Sequence, residues 1–158
     1  MFGLLKKKYE LIAPLSGKVL DLSKSEDPVF SGRLTGDGVL IDPTSDIAVA
    51  PADGTLSMVF KTNHAFGMTL ENGIELLVHI GMDTVELLGE GFERLAEEGT
   101  FVKKGTPIIK IDVAFIKSHG KQLLTPVIIT NPSELKDLTC NIDSTVKGGK
   151  DVILTYKL

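Results

Sequence analysis

Apolar residues occupy every second position at Ile74, Leu76, Val78 and Ile80, and the run closes at Met82. Alternation of this kind predicts a strand with one buried face. A β-rich run from Met58 to Leu70 precedes it, with Asn72-Gly73 between the two. Asn-Gly tolerates the positive φ angles of a tight hairpin, so the stretch reads as two antiparallel strands joined by a two-residue loop. In that register Glu71 faces Ile74, His79 sits opposite Phe66, and His64 sits opposite Gly81. One face then carries His64, Phe66, Met68, Leu77, His79 and Gly81, together with Thr62 and Glu75. The two imidazoles become diagonal neighbours with Cα atoms roughly 7–8 Å apart. Gly81 leaves room for the second ring, and the apolar row fills the other face.

The same punctuation recurs along the chain. Short runs at Glu10–Ala13, Gly17–Asp21, Gly38–Pro43, Asp46–Ala50, Gly54–Val59, His64–Leu70, Ile74–Ile80, Pro107–Ile111, Thr125–Thr130 and Asp151–Leu158 read as strands. Helical turns are expected only at Phe92–Glu98, Val113–His119 and Ser133–Asp137. Sixteen glycines and seven prolines are spread along the chain, so no linker stands out. The pattern predicts an all-β fold, an antiparallel β-sandwich or barrel. Ile12–Val19 recurs thirty-seven positions later as Val49–Leu56, each copy being strand, Ala-Pro, two-residue turn, glycine, strand. Gly99–Gly105 is a third, partial echo. Two related halves packed face to face would explain the duplication.

Composition narrows the function. At 158 residues, 42% hydrophobic and 24% charged, the chain has the size and balance of one ordinary globular domain, expected over residues 9–158. A net charge of −4 argues against nucleic acid as a partner. The single cysteine, Cys140, excludes an internal disulfide and fits a reducing cytosol, where it reads as a buried filler. No apolar run approaches the ~20 residues of a membrane span. Residues 1–8 read as a flexible tail, apolar before basic and so the reverse of a signal peptide. A sharper reading of the tail is a weak membrane-surface contact, with Phe2, Leu4 and Leu5 in the interface and three lysines near anionic lipid.

The histidines carry the candidate chemistry. Satisfied surface or core histidines are the bland reading. A zinc site is a second, since imidazole is the commonest metal ligand, but a third protein ligand is missing. Acyl or hydrolytic chemistry lacks a nucleophile in any recognisable elbow. Phosphoryl transfer through the ring itself is the fourth. A neutral imidazole is nucleophilic at pH 7, and backbone N–H groups after Gly81 could form a nest for phosphate oxygens. The second histidine could donate a hydrogen bond to those oxygens. His119 lies in a glycine- and lysine-bearing loop and reads as solvated.

The segments Ile12–Val19, Val29-Phe30, Gly36–Asp46, Val49–Leu56, Lys61–Gly105 and Leu124–Asn131 resemble, in order, the glucose-specific IIA family of the bacterial phosphoenolpyruvate-dependent sugar phosphotransferase system. Thr62-Asn63-His64-Ala65-Phe66 and Val78-His79-Ile80-Gly81-Met82-Asp83-Thr84-Val85 are the specific motifs. The resemblance implies an antiparallel sandwich of duplicated halves, the duplicated hybrid motif. It implies that His79 takes a phosphoryl group from the phosphocarrier HPr and passes it to a cysteine of the IIB domain of a sugar permease. His64 would hydrogen-bond the phosphoryl group, Thr62 would orient one imidazole, and Asp83 would lie beside the phosphate. Gly67 and Met82 depart from residues common in the family without altering this chemistry.

An apolar ring of Val29, Phe30, Phe60, Phe66, Met82 and Val85, with Asp27 at its rim, is the expected docking surface, the acids speeding encounter with a basic partner. No cofactor is required, although the resemblance also allows a zinc shared by His64, His79 and a partner carboxylate. The expected location is the cytoplasm, at the inner face of the membrane through the permease. Met1 and the basic tail favour a free-standing chain over a domain of a longer permease. The rival class is a non-catalytic regulatory or zinc-binding protein on the same fold. A metallopeptidase on a related sandwich is a distant third.

Overall fold

A computed structural model describes residues 7–158. Phe2, Leu4, Leu5 and Lys6, on which the membrane-contact reading rests, lie outside the described residues. The chain opens with β1 (Tyr9–Ile12), β2 (Gly17–Asp21) and β3 (Asp37–Pro43), with a short helix α1 (Pro28–Ser31) in the β2–β3 connection. It continues through β4 (Ile47–Val49), β5 (Gly54–Val59), β6 (Ala65–Thr69), β7 (Glu75–His79), β8 (Phe92–Arg94), β9 (Phe101–Val102) and β10 (Pro107–Ile111). After helix α2 (Val113–Ser118) come β11 (Thr125–Ile129), β12 (Asp137–Cys140), β13 (Thr145–Val146) and β14 (Val152–Lys157). All the predicted strands form. Phe92–Glu98 does not make a helical turn, because Phe92, Glu93 and Arg94 pair with Ile111, Lys110 and Ile109 as β8.

The sheets are antiparallel and mirror one another. One is ordered β13-β2-β3-β11-β7-β6-β5-β9, and two three-stranded sheets are ordered β1-β14-β12 and β4-β10-β8. The eight-stranded order is a palindrome about the β11–β7 pair if β4–β10 is one unit and β1–β3 with β11–β14 is the other. The β4–β10 unit is thus nested inside the other, between β3 and β11. The duplicated segments meet at the centre: Ile12 N–H donates to the Pro51 carbonyl and Val49 N–H to the Pro14 carbonyl, both at 2.9 Å. Gly17 pairs with Val146 as Gly54 pairs with Val102. The partial echo at Gly99–Gly105 therefore has its own counterpart in the β13 turn.

Between the layers lies one continuous core that includes Leu11, Leu15, Val19, Leu56, Phe66, Ile74, Ile80, Ile108 and Ile153, each fully buried. A smaller cluster of Leu22, Phe30, Leu40, Met82 and Ile128 packs separately, joined by the partly buried Leu77.

The register of the central hairpin differs from the expectation by one residue. Ala65 pairs with His79 and Phe66 with Val78, and Leu70 N–H donates to Ile74 O at 2.9 Å. The loop is therefore three residues, Glu71-Asn72-Gly73, with only Gly73 at positive φ (90°). A two-residue type I′ turn would need positive φ at both central positions. Asn72 instead accepts from Ile74 N–H at 3.1 Å and donates to Tyr156 Oη at 2.8 Å, which draws it into the loop. The core row Ile74, Leu76, Val78, Ile80 is retained, but Phe66 and Met68 join it, at 0% and 1% exposure. Neither lies on the histidine face.

Candidate active site

His79 ends β7 on the outer face of the large sheet, on the same side as Leu77 and Glu75. His64 immediately precedes β6 and would point inward with Phe66 if the strand continued. It does not, because Asn63 adopts a left-handed conformation (φ 57°), a region that asparagine tolerates better than most residues. The ladder still holds its backbone, with Ile80 N–H donating to His64 O at 2.7 Å. The two rings meet edge to face with centroids 4.9 Å apart. The expectation that both imidazoles share one site holds, through a turn at Asn63 and not through strand parity.

Each ring is held at Nδ1. His79 Nδ1 lies 2.9 Å from the Gly81 carbonyl oxygen. A carbonyl can only accept, so the proton sits on Nδ1 and the lone pair on Nε2. His64 Nδ1 lies 2.7 Å from Thr62 Oγ1. The hydroxyl can donate or accept there; when it donates, the His64 proton sits on Nε2. Thr62 thus orients His64, and Gly81 orients His79.

Gly81 has φ 80°, and a Cβ there would fall 2.6 Å from both the Gln122 carbonyl oxygen and Thr84 Cγ2. Its space is taken by the segment before β11, not by the His64 ring. Met82 N–H is committed to Gln122 O at 3.0 Å, so it is not free to join the expected phosphate nest. The turn's contribution is the Gly81 carbonyl. Thr84, fully buried, closes the turn by donating to Ile80 O at 2.6 Å. The sequence pattern singles out neither Gln122 nor Thr84 as a site residue, and only the fold brings Gln122 here.

The electrostatics keep both rings neutral at pH 7. Burial, reinforced by the neighbouring His79, lowers the His64 pKa to about 4. Burial also lowers that of His79, and the Gly81 carbonyl, Asp27 and Asp83 act in the opposite direction. Asp27 caps α1, accepting from Val29 N–H at 2.9 Å. Asp-Pro is a helix-start signal, so α1 was readable in the sequence. Asp83 is exposed, in a left-handed conformation at the start of the 3-10 turn Thr84–Leu87.

The apolar ring divides. Phe30 packs on His79 with centroids 5.1 Å apart, and Phe60 meets His64 edge-on at 5.2 Å. Phe30 and Met82 are buried beneath the site, and Phe60 is partly exposed. Val29 and Val85 are exposed, at 41% and 50%, and rim it. Phe66 belongs to the core and cannot contact a partner. Among the described residues no group of three His, Cys, Asp or Glu side chains is arranged to hold a metal. A zinc on His64 and His79 would need its third ligand from elsewhere. His119 lies outside this site, with its ring 4.1 Å from that of Phe115. No described helix is long and apolar enough to cross a membrane.

Comparison with known proteins agrees over nearly the whole chain. The family model for the phosphoenolpyruvate-dependent sugar phosphotransferase system, EIIA 1, matches residues 9–135. Glucose-specific EIIA components are similar: that of Haemophilus influenzae is 43% identical over 94% of this chain and 89% of its own length. That of Borreliella burgdorferi is 45% identical over 82% of this chain and 68% of its own. The solved glucose permease IIA of Mycoplasma capricolum superposes with a TM-score of 0.89 at 35% identity, covering 98% of this chain and 99% of its own.

Proposed function

We propose that this chain, which belongs to the EIIA 1 family of the phosphoenolpyruvate-dependent sugar phosphotransferase system, carries the phosphoryl group of its transferase reaction on Nε2 of His79. The observation that carries the assignment is the bond from His79 Nδ1 to the Gly81 carbonyl, which leaves Nε2 as the free lone pair. The donor is HPr and the acceptor a cysteine of the IIB domain of a sugar permease, so the protein works in the cytoplasm beside the membrane.

In the first step Nε2 attacks phosphorus, the P–N bond forms, and the bond to HPr breaks. The ring gains positive charge as it bonds, which the Gly81 carbonyl and the carboxylates of Asp27 and Asp83 favour. His64 donates Nε2–H to a phosphoryl oxygen, its tautomer held by Thr62. A neutral donor suits this role, because it positions the group without trapping a dianion in an ion pair. In the second step the IIB thiolate attacks phosphorus, the P–S bond forms, and the lone pair returns to Nε2. Asp83, exposed beside the site, repels the departing phosphoryl group and helps it onward.

Val29 and Val85 form the exposed apolar rim for partners, over the support of Phe30, Phe60 and Met82. Zinc shared with a partner's carboxylate is a secondary use of the same two imidazoles. Incubation with phosphoenolpyruvate, the first enzyme of the pathway and HPr is expected to give an acid-labile, base-stable label. His79→Ala abolishes it, and a label persisting in that variant overturns the assignment.

A further inference from the structure

We propose that Arg94 is a positioning residue that holds the His64 turn in place from outside the site. The inference rests on the role given to His64 above. Arg94 lies on β8, thirty positions along the chain from His64. Its Nε donates to Asn63 Oδ1 at 3.0 Å and its Nη2 to the Phe60 carbonyl at 3.3 Å. Phe60 and Asn63 are the two ends of one tight turn, closed by Asn63 N–H to Phe60 O at 2.8 Å and by Phe60 N–H to Ala65 O at 3.0 Å. One rigid guanidinium therefore grips both ends of the turn.

Everything that aims His64 hangs on that turn. Thr62, which holds Nδ1, lies inside it, and Phe60 packs its ring against the imidazole. Asn63, held left-handed at φ 57°, is the residue that swings His64 out of strand parity. Arg94 takes part in none of the four ion pairs among the described residues. Its charge is spent on neutral oxygens, where charge-assisted bonds are the stronger kind. Lysine lacks the planar fork and cannot grip both acceptors with the same geometry. Displacement of a helper group by an ångström costs up to ~100-fold in rate.

The experiment measures two steps separately in the full-length chain: labelling from HPr, and transfer of the label to a IIB domain. Arg94→Gln is expected to accept label at close to the wild-type rate and to pass it on roughly tenfold more slowly, with unchanged affinity for IIB. Asn63→Gly keeps access to positive φ but removes the acceptor, and it should show the same split. In a His64→Ala background, Arg94→Gln should slow transfer no further. Wild-type transfer by either single variant overturns the proposal. So does an equal further loss in the double variant, since Arg94 would then act independently of His64. A wild-type chain that takes no label from HPr would instead overturn the phosphoryl-transfer reading itself.

Discussion

The two nested halves end their central strands in the same way, yet only one of them holds the histidine pair. The β6–β7 hairpin in one half corresponds to the β3–β11 pair in the other, and the Val78–Val127 pair lies on the pseudo-twofold between them. Counting outward from that pair, His79 corresponds to Ile128. Ile80 pairs with His64 as Ile129 pairs with Asp37, so Asp37 stands in the place of His64. Ile128 is fully buried under Leu22, Phe30, Leu40 and Met82. Asp37 is bonded to Arg33 at 2.9 Å, and Arg33 reaches Asp21 at 3.2 Å. One half has two neutral rings with a free nitrogen. The other has an apolar side chain and a charge already neutralised.

Duplication therefore supplied the scaffold and not the site. The covering segment made the difference. Residues 22–31, from the half without histidines, lay Leu22 and Phe30 across Ile128 and bring Asp27 and the Phe30 ring to His79. The site draws on both halves although both histidines come from one.

The sharpest way to break this comparison is to remove His64 and, separately, its counterpart. His64→Ala is expected to accept phosphate and to pass it to IIB about 100-fold more slowly, as when one preorganised donor is removed from a transition state. Asp37→Ala should transfer at the wild-type rate. Equal transfer by both variants, read in a single-turnover assay, would remove the role of His64.

Gly81→Ala comes next. Positive φ and the 2.6 Å approach to Gln122 O should cost ~2–4 kcal/mol in urea unfolding, with slower labelling of His79 as its carbonyl anchor moves. Unchanged stability would mean that the turn can relax around a methyl group.

The halves should also titrate in separate windows. The folded chain refuses a proton at His64 until about pH 4, whereas the unfolded chain takes it near ~6.5. Stability should be flat above that value and fall as pH drops through the window, by up to ~1.4 kcal/mol per pH unit for one proton, with His79 adding in the same direction. His64→Gln should flatten most of this slope. In the other half, hydrogen bonds from Ser23 and the Arg33 guanidinium lower the Asp21 pKa, so its contribution is lost only below the ordinary carboxylate range. The smallest effect belongs to the rim. Val29→Ala and Val85→Ala should raise KM for the partner a few-fold and leave kcat unchanged, since truncating a rim contact usually costs under ~1 kcal/mol.

Much of this was legible in the residues alone. Alternation, glycines and prolines located the strands of the sandwich, because one-sided burial imposes a period of two wherever it occurs. The Ala-Pro-x-x-Gly repeat announced two halves, and the motifs around His64 and His79 carried the resemblance to the family. Four short strands escaped, Phe92–Arg94, Phe101–Val102, Asp137–Cys140 and Thr145–Val146, since two to four residues are too few to show a period. The hairpin register escaped for a different reason. It goes with a contact that local sequence does not show, from Asn72 to Tyr156 Oη eighty-four positions away. That one-residue shift sent Phe66 and Met68 into the core, and only Asn63 and Arg94 turned His64 back toward His79. Local sequence determines which residues can be strands and which can react. The backbone ladder and contacts from distant segments decide which face each side chain finally occupies, because a shift of one position reverses every side chain on a strand.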